Sequence, residues 1–466
     1  MKVHFLGATG EVTGSNFLIE TESHKFIIDC GLFQGPAPIL ALNAEDFSYD
    51  PSEIDFAILT HAHIDHSGRL PLLVKRGFHN RIYCTRPTAD LADILLKDSG
   101  KINEAEAAWE NKKRERAGLE LIEPLFTMDD SIVAIQYLNP VNYNVEIEPA
   151  PGIKFIYREA GHLLGSASVE LFITEEGKTK HLVFSGDLGT GKNQLLPNPD
   201  VIQKADYVFM ESTYGGRHHQ NMEARGANVA LAIIEAVKRG GTVIIPAFAV
   251  GRTQEVLFEL KNFMNTHAEG AQINKVPIYI DSPLAIDATA IFKKNYEYFK
   301  KPITEIFESG ANPIEFKNLR IVKDMETSIK LNKDGQPKVI ISASGMCDAG
   351  RIRHHLKHNL WKDSTCVIFV GYQGEGTLGR KILDGEPSVE ILDETIAVSS
   401  RIIRIEGFSG HADESQLMHW LSSIKGVKKV YLNHGEALAV NALSKAITEK
   451  LKVEVNAPAA GDCIEL

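Results

Sequence analysis

Residues 56–71 read FAILTHAHIDHSGRLP, and the fold is most readily inferred from this stretch. Apolar residues typical of a buried strand lead directly into three histidines and an aspartate within six positions. On a strand, His61 and His63 would share a face, and a turn after them would bring Asp65 and His66 to a second point. Imidazole and carboxylate groups are metal ligands, and this spacing suits two adjacent metal ions better than one tetrahedral site.

Two metal ions need more ligands than this stretch supplies. Further candidates follow other strand-like segments: His162 in REAGHLLGSAS, Asp187 in LVFSGDLG and His434 in VYLNHGE. A carboxylate such as Asp187 can bridge two cations, whereas a single imidazole cannot. The sequence therefore predicts a dinuclear metal centre built at the ends of strands.

Length and composition restrict the class of protein. A chain of 466 residues is too long for one ordinary core, so we expect two domains or one domain with a large insertion. Its 44% hydrophobic and 24% charged residues are typical of a soluble globular protein. The start, MKVHFLGATG, lacks the features of a signal peptide, and no stretch has the length and apolarity of a membrane span. We therefore expect a cytoplasmic protein.

Cysteine usage and net charge add two further expectations. The cysteines do not form CxxC pairs, so we expect buried, reduced thiols rather than disulfides or a zinc ribbon; they are Cys30, Cys84, Cys347, Cys366 and Cys463. The net charge of −11 weighs against a general nucleic-acid-binding protein, which would be basic. It does not exclude a nuclease whose positive charge comes from bound metal and a local basic cleft.

The pattern of predicted elements changes twice along the chain. Residues 1–213 alternate short strands with turns, apart from a charged helical segment after Ala89. Residues 214–397 alternate helices with buried strands, which indicates a parallel α/β domain. The first pattern returns in residues 398–466. We interpret this order as one metal-binding domain interrupted by an inserted α/β domain.

The motifs resemble those of the metallo-β-lactamase fold, which has HxHxDH with a strand-end aspartate upstream, here Asp29, and a histidine and an aspartate downstream. The later motifs MESTYG, GFSGHAD and LNHGE resemble motifs A, B and C of the β-CASP branch, a family of nucleases; they contain Glu211, His411 and His434. The resemblance covers essentially the whole chain. It implies an α/β fold in which a metallo-β-lactamase αββα sandwich carries an inserted β-CASP domain, a parallel sheet flanked by helices.

The same resemblance implies two zinc ions and a ligand set for each. The first zinc ion would take His61, His63, His162 and Asp187. The second would take Asp65, His66, His434 and the shared Asp187. Asp29 resembles a residue that orients the ligands from behind. Two zinc ions about 3.5–4 Å apart would activate water and bind a phosphate oxygen, so the expected reaction is hydrolysis of single-stranded RNA, with Asp65 and Asp187 acting through the metals.

Proton transfer to the leaving oxygen needs another residue. His411 is the candidate donor, and Glu211 would keep it protonated because a nearby carboxylate raises the pKa of a histidine. A histidine in a loop is by itself usually structural. The two motifs that contain this pair favour the catalytic interpretation.

Loop residues of the inserted domain are candidate phosphate contacts. They follow predicted parallel strands, and open α/β sheets bind ligands at the carboxyl ends of such strands. Each of them is equally compatible with an ordinary loop. The candidates are Ser282, Ser342, Ser344, Gly345, Arg252, Tyr372, Gln373 and Arg380.

Several alternatives to an RNA endonuclease stay open at this stage. They are a 5′ exonuclease mode, a DNA nuclease of the same family, a small-molecule metallo-hydrolase and an inactive structural subunit. His434 at motif C favours RNA, since DNA-processing members of the family tend to lack histidine there. The inserted domain counts against a small-molecule substrate, and the full ligand set counts against an inactive subunit. A homodimer is also left open.

Overall fold

Strands in the first part of the chain form where short apolar segments alternate with turns. The computed structural model describes residues 1–220 and 222–466. The strands up to Glu211 are β1 (Lys2–Phe5), β2 (Phe17–Glu20), β3 (Lys25–Ile28), β4 (Phe56–Ile58), β5 (Ile82–Thr85), β6 (Leu138–Val141), β7 (Glu146–Ala150), β8 (Ile153–Glu159), β9 (Ala167–Glu175), β10 (Lys178–Phe184) and β11 (Tyr207–Glu211). The helices among them are α1 (Ala37–Ala41), α2 (Ile64–Ser67), α3 (Leu70–Lys75), α4 (Arg86–Arg116) and α5 (Met128–Ile135).

Helices and strands alternate in the middle of the chain. The strands are β12 (Thr242–Pro246), β13 (Ile278–Ile280), β14 (Leu319–Ile321), β15 (Lys338–Ser342), β16 (Cys366–Phe369), β17 (Ser388–Ile391), β18 (Glu394–Ala397) and β19 (Arg401–Arg404). The helices are α6 (Arg225–Lys238), α7 (Arg252–Thr266), α8 (Gly270–Ile273), α9 (Pro283–Lys294), α10 (Lys301–Glu308), α11 (Met325–Lys333), α12 (Ile352–Asn359) and α13 (Leu378–Leu383). The last elements are α14 (Glu414–Ser423), β20 (Lys429–Asn433), α15 (Ala437–Leu451), β21 (Glu454–Asn456) and β22 (Cys463–Glu465).

The described chain divides into two units. Unit 1 comprises Met1–Gly191, Pro197–His218 and His411–Leu466. Unit 2 comprises Lys192–Leu196 and His219–Gly410. The boundaries predicted from the sequence lie at 214 and 397 instead. The second boundary lies later because β19 pairs in parallel with β16 and therefore belongs to the sheet of unit 2.

Unit 1 is a sandwich of two mixed sheets. One sheet has the order β22-β1-β2-β3-β4-β5-β6, and the other has the order β21-β20-β11-β10-β9-β8-β7. An aromatic core fills the space between them: the ring of Phe17 lies 5.1 Å from that of Phe184, which stacks on Phe209 at 4.3 Å. Helices α14 and α15 cover the outer face of the second sheet, and α3 packs on the outer face of the first. This arrangement confirms the predicted αββα sandwich.

Unit 2 is a parallel α/β domain, as predicted. Its sheet has the order β14-β13-β15-β12-β16-β19, and neighbouring strands pair in parallel. The strands are nearly continuous apolar runs because helices cover them: every residue of β15 and of β16 is buried. Strands β17 and β18 form a separate antiparallel hairpin.

Candidate metal centre and active site

Most of the predicted ligands of unit 1 lie in loops that follow its strands, and Asp65 and His66 lie in the short helix α2. The chain reaches His61 after β4, His162 after β8, Asp187 after β10 and His434 after β20. Asp29, which follows β3, and His434 both adopt the left-handed backbone conformation, with φ of 60° and 51°. Such strained positions persist where the surrounding structure fixes them, and they often occur at functional sites.

One group of donor atoms converges on the residues predicted for the first zinc ion. His63 Nδ1 lies 3.1 Å from His61 Nε2 and 3.1 Å from His162 Nε2. Asp187 Oδ2 lies 3.6 Å from His61 Nε2 and 3.5 Å from His162 Nε2. These four donors all lie within 4.8 Å of one another, which is close enough to surround a single cation.

A second group of donors adjoins the first. His66 Nε2 lies 3.2 Å from His434 Nε2 and 4.0 Å from Asp65 Oδ2. Asp187 Oδ1 lies 3.3 Å from His66 Nε2, while Asp187 Oδ2 belongs to the first group. The structure therefore brings all seven predicted ligands together, with one oxygen of Asp187 facing each group.

The state of Asp187 fits a carboxylate shared by two cations. Its Oδ1 atom is buried and has no hydrogen-bond partner among the residues that the structure describes. A buried carboxylate oxygen without a partner is costly, and a bound cation would satisfy it. Imidazoles and carboxylates are donors that zinc binds, so the residues present fit two metal ions.

The charge states of four of the ligands agree with metal binding. His66 differs: burial lowers its pKa, but the carboxylates of Asp187 and Asp29 outweigh burial and raise the pKa well above its usual value. Burial lowers the pKa of His61 and of His63, which keeps both imidazoles neutral. Burial raises the pKa of Asp65, but a hydrogen bond from His434 and the charges of His66 and His434 together outweigh burial and bring the pKa to about 2. Burial likewise opposes ionisation of Asp187, yet the nearby histidines hold its pKa well below the usual value. Neutral imidazoles and ionised carboxylates are the forms that bind metals.

Asp29 lies behind the ligands, as the resemblance implied. Its carboxylate accepts hydrogen bonds from the Thr60 backbone N–H at 2.8 Å and the Thr60 hydroxyl at 2.9 Å. Its Oδ2 lies 2.7 Å from His66 Nδ1, so Nε2 of that ring is directed toward the donor group. Such contacts fix the tautomer and orientation of a ligating histidine.

Sequence reasoning missed two threonines that hold ligands in place. The Thr60 hydroxyl lies 3.2 Å from His61 Nδ1, and the Thr213 hydroxyl lies 3.1 Å from His434 Nδ1. Both threonines adjoin a motif residue in the sequence: one precedes His61 and the other follows two positions after Glu211. Their closeness to the motif residues was the only sequence feature that could have indicated this role, because a threonine hydroxyl is not a typical zinc ligand.

His411 and Glu211 form a pair beside the donor groups. His411 Nδ1 lies 3.2 Å from Glu211 Oε2 and 3.8 Å from Asp187 Oδ2. Burial lowers the pKa of His411, but the carboxylates of Glu211 and Asp187 outweigh it and raise the pKa to about 9. The other oxygen of Glu211 accepts a hydrogen bond from the Leu188 N–H at 2.6 Å, which fixes the carboxylate. The pair can therefore present a protonated imidazole next to the metal ligands.

The glycine-rich segment near the start of the chain is a tight turn at the edge of this site. The Ala8 carbonyl accepts a hydrogen bond from the His434 N–H at 2.6 Å, and the Glu11 carbonyl accepts one from Gly435 at 3.0 Å. A Cβ atom added to Gly7 would lie 1.9 Å from the Gly14 carbonyl oxygen. Glycine is therefore required at position 7 for the turn to close against the motif C loop.

The predicted phosphate contacts lie in loops of unit 2, and several have internal partners. The Ser282 hydroxyl accepts a hydrogen bond from Ala285 N at the start of α9, and Ser342 donates to the Asp281 carbonyl at 2.7 Å. Arg380 pairs with Asp384, and Arg252 pairs with Glu255. Ser344, Gly345, Tyr372 and Gln373 lie in the loops after β15 and β16. The phosphate-binding role of the whole set stays a prediction.

The cysteines of the described chain are free thiols. Cys30, Cys84, Cys347 and Cys366 are buried as expected, whereas Cys463 is exposed on the edge strand β22. The expectation of burial was wrong for Cys463, because its side chain lies on an uncovered part of the sheet. Within residues 1–220 and 222–466, no helix has both the length and the apolarity needed to cross a membrane.

Comparison with protein families gives three matches in the order that the fold requires. Residues 9–235 match the metallo-beta-lactamase superfamily, residues 253–382 match the Beta-Casp domain, and residues 395–458 match a Zn-dependent metallo-hydrolase RNA specificity domain.

Similar proteins of full length are found in bacteria and archaea. The chain is 36% identical over 447 residues to Ribonuclease TTHA0252 of Thermus thermophilus, covering 96% of each protein. It is 30% identical to an RNase J-like protein of Methanocaldococcus jannaschii, covering 99% of each. It is 32% identical to Transcription termination factor FttA of Methanosarcina mazei, covering 98% of this chain and 70% of that protein. A crystal structure of a protein of unknown function from Enterococcus faecalis shares the fold, with a TM-score of 0.58 at 13% identity, over 100% of this chain and 99% of that one.

These matches and the donor groups of unit 1 together define the class. The chain belongs to the β-CASP family of metallo-β-lactamase hydrolases, and it is a metal-dependent enzyme, as its motifs predicted.

Proposed function

We propose that the protein is a zinc-dependent ribonuclease that hydrolyses phosphodiester bonds in single-stranded RNA, chiefly as an endonuclease. The observation that carries this proposal is the pair of donor groups sharing Asp187, with the His411–Glu211 pair beside them. Two adjacent metal sites and a proton donor are the components that phosphodiester hydrolysis requires. A 5′ exonuclease mode, a homodimer and a cytoplasmic location stay predictions.

Two zinc ions are the metals proposed for these donors. His61, His63 and His162 with Asp187 would hold one ion; Asp65, His66 and His434, again with Asp187, would hold the other. Bound zinc would supply Lewis-acid chemistry, activating water and stabilising charge on the phosphate oxygens. The protein holds the ligands in that geometry, because Asp29, Thr60 and Thr213 fix the orientations of the rings.

His411 is proposed to protonate the leaving oxygen of the RNA. Its Nδ1 faces Glu211 and Asp187, so its Nε2 is the atom that can carry a proton to the substrate. Glu211 orients the ring and stabilises its charged form, and the Leu188 N–H holds Glu211 in turn. Burial lowers the pKa of His411, but Glu211 and Asp187 raise it to about 9, so the imidazole is protonated at neutral pH and can serve as a general acid.

RNA is preferred over DNA for two reasons. Residues 395–458 match a domain described by its RNA specificity, and two of the similar proteins are named for ribonuclease activity. In addition, His434 is present at motif C, where its Nε2 lies 3.5 Å from Asp65 Oδ2 in the second donor group. A DNA nuclease and a small-molecule hydrolase are the alternatives that an experiment must separate.

The test uses zinc-loaded protein with end-labelled single-stranded RNA and DNA of the same sequence. We expect internal fragments from RNA and little or no product from DNA. A matched preparation carrying Asp187→Asn controls for contaminating nucleases, since it should cleave neither. Equal cleavage of DNA would contradict the RNA assignment. Release of single nucleotides from the 5′ end alone would contradict the endonuclease assignment.

A further inference from the structure

A buried arginine of unit 2 holds an unusual set of partners. Arg225, at the start of α6, is 1% exposed. Its Nε donates to Glu259 Oε1 at 2.9 Å, and its Nη2 lies 3.0 Å from Glu255 Oε1. Arg252 pairs with the other oxygen of Glu255 at 3.0 Å, so two guanidinium groups balance two carboxylates. Burying such a cluster is costly unless its charges are paired and hydrogen-bonded in good geometry. The position of each member is therefore strongly constrained.

The remaining donors of Arg225 bind the backbone of two loops. Nη1 donates to the Gly407 carbonyl at 2.9 Å, and Nη2 donates a longer bond of 3.4 Å to the Lys192 carbonyl. The ring of Phe408 lies 5.4 Å from the Arg225 guanidinium and 5.7 Å from that of Arg252. The cluster therefore fixes the loop after β19 through both its backbone and its one aromatic side chain.

These two loops lead directly to site residues in the sequence. Gly407 is four positions before His411, and Lys192 is five positions after Asp187. Within unit 1 the same two segments are joined again, because Ala412 N donates to the Leu188 carbonyl at 2.7 Å. The Leu188 N–H in turn donates to Glu211, the partner of His411. His411 therefore directly follows a loop whose earlier residues, Gly407 and Phe408, contact Arg225.

We propose that Arg225 is a positioning residue for His411, acting through the loop Gly407–Gly410 rather than by touching substrate. This inference rests on the proposed role of His411 as proton donor. The cluster also includes Arg252, a candidate phosphate contact, whose guanidinium pairs with Glu255 and lies 5.7 Å from the Phe408 ring. A positioning role predicts a selective defect: the step that needs the proton donor should slow, while metal binding and substrate binding should not change.

The test compares Arg225→Lys with the parent enzyme on two substrates. Lysine keeps a positive charge beside Glu255 and Glu259 but cannot reach two carboxylates and Gly407 at once. One substrate is an RNA oligonucleotide, and the other is the p-nitrophenyl ester of uridine 5′-monophosphate, whose leaving group hardly needs a proton. We expect kcat on RNA to fall about 10–100-fold with little change in KM, because a displacement of about 1 Å can cost about 100-fold in rate. On the nitrophenyl ester the loss should be less than about threefold, and zinc content should be unchanged.

A buried lysine in the same unit gives a matched control. Lys338 is fully buried and donates to the Leu331 carbonyl at 3.1 Å, but neither it nor its partner belongs to the loops near His411. Lys338→Met should alter both substrates equally if it destabilises unit 2. If Arg225→Lys does not fold, Phe408→Leu tests the same loop from its other side, since it removes the ring and leaves the charges paired.

Three outcomes separate the two hypotheses. A selective loss on RNA for Arg225→Lys or Phe408→Leu, matching the selectivity of His411→Ala, supports the inference. An equal loss on both substrates, or no loss, while His411→Ala remains selective, overturns the positioning role alone. If His411→Ala itself loses both substrates equally, the proposed proton donor is wrong, and the positioning role falls with it.

Discussion

Residues of the same type in this site differ in whether their side-chain oxygens are free to bind a metal ion. Asp29 and Asp187 are both buried strand-end aspartates, but their oxygens have different partners. Both oxygens of Asp29 accept hydrogen bonds from Thr60, and Oδ2 also lies 2.7 Å from His66 Nδ1. The carboxylate of Asp29 therefore supports these two residues and does not face the donor groups. Asp187 leaves Oδ1 without a hydrogen bond in the described chain and faces histidines from both groups. Asp29 is therefore a supporting residue and Asp187 a proposed metal ligand, and the difference arises from their hydrogen-bond partners.

His411→Ala should retain metal and lose cleavage. Its Nδ1 lies 3.2 Å from Glu211, whereas the ligands of both donor groups are complete without it. General acid catalysis is typically worth about 10²–10⁴-fold, so RNA cleavage should fall by about that factor. Zinc analysis and kinetics on RNA and on a nitrophenyl ester provide the measurements. Loss of zinc in proportion to activity would show that His411 is a ligand instead.

Glu211→Gln should resemble a milder form of the same defect. Glutamine keeps an oxygen that can accept the Leu188 N–H, so the loop should stay in place. It removes the negative charge that favours protonated His411. We expect a smaller loss of kcat than for His411→Ala, together with a shift of the alkaline limb of the pH–rate profile to lower pH. An unchanged profile would mean that Glu211 acts only in packing.

Glu159 provides a prediction about stability and pH. Its Oε1 accepts a hydrogen bond from the Gly161 N–H at 2.7 Å, at the start of the loop that carries His162. Burial is the main cause that raises its pKa from 4.5 to about 8, and Asp200 adds to it. The folded state therefore holds a proton that the unfolded state has lost, and stability should fall as pH rises from about 4.5 to about 8.

Glu159→Gln should remove this pH dependence. Glutamine retains the acceptor for Gly161 and cannot ionise, so the variant should gain up to about 5 kcal/mol over the parent at pH 9 and almost nothing at pH 4. Urea denaturation of metal-free protein across this range measures the difference. Parallel stability curves for the two proteins would contradict the assignment.

The proposed ligands could be predicted from sequence motifs, whereas the residues that support them could not. The HxHxDH motif places four metal-binding side chains within six positions. The remaining proposed ligands were expected at the ends of other strands, because one motif cannot supply enough ligands for two metal ions. The roles of Thr60 and Thr213 depend on distances across the fold, which no local pattern encodes. The same holds for Arg225, whose partners Glu255 and Glu259 are 30 and 34 positions away in the sequence.

At the scale of elements, helix α14 begins shortly after the proposed proton donor, His411, and its first turn is held by a capping box. Asp413, two residues after His411, accepts a hydrogen bond from Gln416 N at 3.0 Å, and Gln416 Oε1 accepts one from Asp413 N at 2.8 Å. This capping box satisfies free N–H groups at the start of the helix. Gln416 also donates to the Thr190 carbonyl at 2.7 Å, which joins the helix to the segment after Asp187.

Asp413→Ala should weaken both the helix and the reaction. Removing an N-cap carboxylate typically costs about 0.5–2 kcal/mol. Because the cap adjoins His411, we expect a clear loss of RNA cleavage, again smaller on a nitrophenyl ester. Asp324→Ala is the control: Asp324 caps α11 by accepting from Thr327 N at 2.7 Å, and that helix carries no site residue. It should lose similar stability and keep its activity. Equal activity loss in both variants would exclude a local effect.

Most helices and strands could be predicted from the sequence, but strand β19 was assigned to the metal-binding domain instead of the inserted domain. Apolar segments such as FAI in β4 and CVIF in β16 are buried on both faces, and such runs signal strands directly. RIIR in β19 has two adjacent isoleucines between arginines, a pattern that fits either sheet. Its parallel pairing with β16 decides the question, and pairing partners are not encoded in a local pattern.

At the scale of the whole molecule, the metal centre connects segments that are far apart in sequence. Its proposed ligands span from His61 to His434 and come from the first and the last of the three segments that make up unit 1. The cluster also concentrates buried histidines and carboxylates in a protein whose net charge is −11. Bound cations would offset that negative charge locally, where a polyanionic substrate must approach. Metal loading should therefore affect folding as well as catalysis.

Zinc-loaded protein should contain about two zinc ions per chain and unfold at a higher temperature than chelator-treated protein. The stabilisation arises because metals bind the assembled ligands and not the unfolded chain, so it should increase with free zinc concentration. Elemental analysis and thermal denaturation measure the two effects. Asp187→Asn should disturb both sites, because each oxygen of Asp187 faces one donor group, whereas His434→Ala should lower occupancy of the second site alone. One zinc ion per chain in the parent protein, or equal losses in the two variants, would contradict a dinuclear centre with a shared carboxylate.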